Sequence, residues 1–67
     1  MSFKTEVETV DERGKFYSNA LRFATKKEAT DWGIDLGDRW TQVRSIRATE
    51  SKDPVNSRFR NGKLEKA

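Results

Sequence analysis

Arg47, Arg58, Arg60 and Lys63 have the most scope for chemistry on a partner. If Ile46 and Phe59 turn into the protein, alternation along extended backbone puts these cations on the opposite sheet face. Phe16 joins them from a neighbouring hairpin. Cations beside an open aromatic ring suit phosphates and stacked bases, so single-stranded nucleic acid or a nucleotide is one expected ligand class. The same alternation describes an ordinary solvated sheet face, where Lys and Arg discourage edge-to-edge aggregation. No aromatic ribonucleoprotein motif, GxxG clamp or zinc knuckle accompanies the cations.

A second group comprises Ile34, Arg39 and Arg44. Arg39 adjoins Trp40 and Arg44 follows, so the pair could clamp or stack on a ligand, or simply snorkel around a buried indole. Ile34 falls nearly opposite Trp32 on a helical wheel and is expected in solvent, at a contact surface. Asp31, Asp35 and Asp38 lie at helical spacings. They pair with nearby Lys and Arg as readily as they would hold a hard cation, so no metal site is expected.

Catalytic side chains are scarce. The chain has no histidine and no cysteine, which removes the imidazole base, the thiolate nucleophile and the usual zinc ligands. No GxSxG elbow, P-loop or carboxylate pair in a readable cleft replaces them. The expectation is a non-enzymatic protein without a cofactor.

The elements that must position these residues begin with an alternating run. Phe3, Thr5 and Val7 face one way and Lys4, Glu6 and Glu8 the other, which predicts a strand over 3–10. Asp11-Glu12-Arg13-Gly14 makes a turn, and 15–23 predicts a second strand with Tyr17, Asn19, Leu21 and Phe23 on one face. Thr25-Lys26-Lys27-Glu28 forms a capping box in which the Glu28 carboxylate would reach back to the Thr25 N–H. Ala29, Trp32, Leu36, Trp40 and Val43 follow at spacings of three and four, predicting a helix over 26–40. Gly33 and Gly37 interrupt it, either because another element approaches closely or because the helix frays near Gly37.

A third strand is expected over 41–50 and a turn at Ser51-Lys52-Asp53-Pro54. Asn61-Gly62 then specifies a type I′ hairpin, opposing Arg60 to Lys63, Phe59 to Leu64 and Arg58 to Glu65. The like-charged Arg60 and Lys63 would be eased by an anion between them. The prediction is a single small α+β domain over 1–67, ββαβββ, with frayed ends at 1–2 and 66–67. A hairpin and a three-stranded meander would form a curled antiparallel sheet with one helix on one face. The expected core is Phe3, Val7, Leu21, Phe23, Ala29, Trp32, Leu36, Trp40, Ile46, Phe59 and Leu64.

With 67 residues, 37% of them charged, and a mean hydropathy of −0.99, the core is small for the chain. Disulfides are impossible, which leaves self-association, most simply a dimer, as the remaining staple. No stretch is long and apolar enough for a membrane span, and the lack of cysteine fits a reducing compartment such as the cytoplasm. A net charge of +3, with its excess after Ile34, suits an anionic partner.

The segments Leu21-Arg22-Phe23-Ala24-Thr25, Glu28-Ala29, Asp35-Leu36, Arg39-Trp40, Val43-Arg44 and Asp53-Pro54-Val55-Asn56 resemble small proteins of tailed phages and prophages. The resemblance spans about residues 18–64 and departs from the pattern at Trp32-Gly33 and Gly37. No activity or functional residue is settled for that group. The resemblance implies a small accessory protein in an infected bacterial cytoplasm that binds and modulates, or inhibits, a host protein or defence component. The alternative is nucleic-acid or nucleotide binding through the basic sheet face.

Overall fold

Alternating polar and apolar residues need an apolar covering on one face only, and the fold supplies it with a single helix. The computed structural model describes residues 1–67. Its elements are β1 (Ser2–Thr9), β2 (Tyr17–Ser18), α1 (Lys26–Arg39), β3 (Val43–Ser51), β4 (Ser57–Arg60) and β5 (Lys63–Lys66). The fold is α+β in the order ββαβββ, with small antiparallel sheets and α1 packed on one face.

β1 is the central strand. Along its length it pairs with β3, and at Glu6 and Val7 it pairs with β2. The expected meander is therefore corrected: β3 returns to β1 rather than leading into β4. Cross-strand neighbours account for this choice. Glu6 lies opposite Arg47, Val7 opposite Ile46, and Glu8 opposite Ser45, each pair chemically matched.

The second strand is also shorter than expected. After Tyr17–Ser18 the chain turns away, because Asn19 Oδ1 accepts from the Leu21 N–H at 3.0 Å. It rejoins β1 at one residue, Phe23, whose N–H and C=O exchange 2.8 Å hydrogen bonds with Phe3. On the other side of this segment, Arg22 O accepts from the N–H groups of Asn56 and Ser57 at 3.0 Å. Phe23 thus bridges to Phe3 on one side and to Ser57 on the other, joining the β4–β5 hairpin to the main sheet.

Asp53-Pro54-Val55-Asn56 braces that joint. Asn56 Oδ1 accepts from Arg22 N–H at 2.8 Å, and its Nδ2 donates to Ala20 O at 2.8 Å. Asp53 Oδ2 accepts from Arg22 Nε at 3.0 Å. The ends, expected to fray, are tied in here. Ser2 is buried and its hydroxyl donates to Asp53 O at 2.8 Å, while Ala67 N–H donates to Asn56 O at 3.2 Å.

Thr25 caps α1 as expected, its hydroxyl accepting from the Glu28 N–H at 3.2 Å. The Glu28 carboxylate does not reach back to the Thr25 N–H. One oxygen accepts from the Thr25 hydroxyl at 3.0 Å, and the other accepts from the Phe59 N–H at 3.2 Å, fastening the helix start to β4. The helix stops one residue early, at Arg39, because Trp40 takes extended angles of φ −123° and ψ 99°.

The core is Phe23, Ala29, Trp32 and Phe59, with Phe3, Leu21, Leu36 and Ala48 packed against it. The rings of Phe23 and Trp32 lie 6.2 Å apart at 38°. Val7 is buried and Ile46 half-buried under the helix. Two expected core residues are not: Trp40 is 42% exposed and Leu64 47%. Trp40 leaves the helical stripe where the helix ends, and Leu64 sits on β5, the outboard strand of its hairpin. At Asn61-Gly62 both φ angles are positive, 52° and 73°, and the expected pairings are observed.

At Gly33 the helix lies tight against the sheet. A Cβ added there would lie 2.9 Å from both Ile46 Cδ1 and Thr5 Cγ2, while beside Gly37 the nearest atom is 4.0 Å away. Thr5 Oγ1 adds a 2.6 Å bond to Ala29 O. Gly33→Ala should therefore lower stability by ~1–3 kcal/mol through overpacking, despite alanine's better helix propensity. Gly37→Ala should raise it by up to about 1 kcal/mol. Urea unfolding midpoints test both; a stabilised Gly33→Ala would show that the helix does not press on the sheet there.

Candidate functional site

The outer sheet face carries charged residues of both signs, most of them spent on one another. Arg47 Nε donates to Glu6 Oε1 at 2.7 Å, and its guanidinium lies 3.9 Å from the centroid of Phe16. Thr49 adds a 3.1 Å bond to the same Glu6 oxygen. Glu8 accepts from the Gly14 N–H and, at 2.8 Å, from the Ser45 hydroxyl, with Arg44 3.6 Å away. Gly14 has φ +83°, the left-handed geometry that turns its N–H toward Glu8.

These bonds shift titrations. The Arg47 hydrogen bond is the main cause holding Glu6 below its ordinary value, helped by Thr49 and opposed by partial desolvation. The Gly14 N–H does most to lower Glu8, with Ser45 second. Arg22, then Ser51, lowers Asp53.

The basic set expected from the sequence is divided. Arg47 and Phe16 stack together beside the main sheet, where Arg47 is also paired with Glu6. Arg58, Arg60 and Lys63 lie on the β4–β5 hairpin, and Arg58 is 3.7 Å from Glu65. Arg60 and Lys63 face each other and form no ion pair. Of the second set, Ile34 is 54% exposed. Arg39 pairs with Asp35 at 3.0 Å, and Lys27 pairs with Asp31 at 2.6 Å.

A concavity with a largely apolar, aromatic wall lies elsewhere. A groove of about 420 Å³ runs between the C-terminal half of α1 and the inner face of β1. Thr5, Val7, Trp32 and Leu36 form its floor; Trp40 and Tyr17 flank it, and Asp11 and Glu12 are on its rim. Tyr17 is 47% exposed, and its hydroxyl donates to Glu12 Oε2. That hydrogen bond to a carboxylate is the main cause raising the Tyr17 pKa, which keeps the phenol protonated. The groove opens because α1 is tied down at Ala29 and Gly33, while the helix end at Trp40 turns its indole outward.

Residue-by-residue reasoning on the sequence missed this site. The signal was present: Tyr17 shares a face with Val7, and Asp11-Glu12 is an acidic pair in the turn between them. Placing Trp40 in the core concealed the wall.

In comparisons with known proteins, no family model matches the chain, and neither a curated protein nor a solved structure matches it significantly. Function is therefore read from the chemistry of the site itself. No helix is long and apolar enough to cross a membrane.

Acid should weaken the outer-face network. Glu6, Glu8 and Asp53 all have lowered folded-state pKa values, so their stabilisation is full above the ordinary values of 4.5 and 3.8 and is lost as pH falls below them. Unfolding midpoints should stay level near neutrality and decline below about pH 4.5, less steeply in Glu6→Gln. An equally steep decline in that variant would show that the Arg47 bond carries no such linkage.

Proposed function

We propose that this protein acts by binding rather than by catalysis, docking a segment of a partner protein in the groove between α1 and β1. The observation that carries this reading is the pair of half-exposed aromatic side chains, Trp40 and Tyr17, beside an apolar floor. Trp and Tyr at the edge of a well-formed concavity are the residue types that dominate binding energy at protein interfaces. A volume of about 420 Å³ accommodates a few anchor side chains of a partner. The phage-like pattern of the sequence supplies the context. The partner is then a protein of the bacterial host, met in its cytoplasm and modulated or inhibited by occupancy.

The pattern residues fit such a division of labour. Arg22, Phe23, Thr25, Glu28, Asp53 and Asn56 of the pattern hold the scaffold together, while its Leu36 and Trp40 line the groove. Nucleic-acid or nucleotide binding through the basic face has less support, since Arg47 and Arg58 already have carboxylate partners.

Trp40→Ala should fold normally and lose about tenfold to a hundredfold in affinity for its partner. Affinity capture from nuclease-treated bacterial lysate, followed by titration of the captured protein, tests this. The docking reading fails if capture depends on nucleic acid, or if Arg58→Ala with Arg60→Ala abolishes it while Trp40→Ala does not.

A further inference from the structure

We infer that the groove selects a cationic side chain on an apolar stem, a lysine or arginine of the partner; this rests on the docking reading above. The chain has fourteen Lys and Arg residues, yet none lines the groove. The ionisable groups that do are Asp11, Glu12 and Tyr17. A protein of net charge +3 thus presents an acidic rim at this groove.

Neither of those carboxylates forms an ion pair within the chain. Asp11 and Glu12, like Glu28, Asp38 and Glu50, pair with no Lys or Arg, and of these five only Asp11 and Glu12 line the groove. The Tyr17 hydroxyl occupies one oxygen of Glu12, holding that carboxylate against the aromatic wall. A guanidinium or ammonium would therefore find a carboxylate acceptor and electron-rich rings in one place. The methylene stem would lie along Val7, Trp32 and Leu36. The Tyr17 phenol, bonded to Glu12, adds no charge of its own, so the negative charge at the rim is that of the two carboxylates. A phosphate or an acidic peptide would meet two carboxylates and no cation.

The test is selection of random short peptides displayed on a carrier against the intact protein. The best sequence is then resynthesised and titrated by tryptophan fluorescence. The enriched peptides should carry a Lys or Arg flanked by apolar residues. Affinity should fall by about tenfold or more against Asp11→Asn/Glu12→Gln, and equally when the peptide's lysine or arginine is replaced by norleucine. Both substituted residues are exposed, so circular dichroism should show the variant folded. Purely apolar winners, or undiminished binding to the double variant, overturn the cation selectivity while leaving groove docking intact. Winners whose affinity is unchanged by Trp40→Ala, acidic winners, or no enrichment overturn both.

Discussion

The contact at Gly33 is the constraint on which the rest of the structure depends. A hydrogen in place of a side chain lets α1 settle on Thr5 and Ile46, and the Thr5 hydroxyl then reaches the helix backbone at Ala29. Close approach at this point excludes water from Trp32 and Phe23, two of the three aromatic members of a very small core. Each such buried side chain contributes on the order of 1.5–3 kcal/mol, a substantial share for a domain of this length. The same contact sets where the helix is close to the sheet and, one turn later, where it is not. The groove is the consequence.

Phe23 plays the complementary role in the plane of the sheet. It bonds to β1 through both of its backbone groups, and its neighbour Arg22 accepts the N–H groups that begin β4. Side chains reinforce this joint from Asp53 and Asn56, more than thirty residues away. A chain without disulfides thus closes its C-terminal half onto its N-terminal strand with hydrogen bonds and one fully buried ring. Truncating the Phe23 side chain would open a cavity beside this backbone joint.

Local elements were readable from local chemistry. Thr25 and Glu28 announce the helix start, Asn61-Gly62 the hairpin and its register, and the alternation of 3–8 the central strand. Long-range pairing was less readable, because a three-stranded meander and a return to β1 satisfy the same alternation. Matching Glu6 with Arg47 and Val7 with Ile46 would have separated them. The groove was hidden for a related reason. A periodicity of three and four placed Trp40 on the buried stripe, but periodicity does not reveal that the helix has already ended. Likewise Arg47 and Phe16 read individually as ligand-binding groups, and only the fold shows that they bind each other.

What emerges is a division between an outer face rich in ion pairs and an inner groove whose carboxylates have none. The most direct check is the environment of the two indoles, examined one at a time. In Trp32→Phe, the remaining Trp40 should emit at long wavelength and be quenched readily by iodide or acrylamide. In Trp40→Phe, the remaining Trp32 should emit at shorter wavelength and resist both quenchers. Equal shielding of the two, or a more exposed Trp32, would contradict the geometry of the groove and the account built on it.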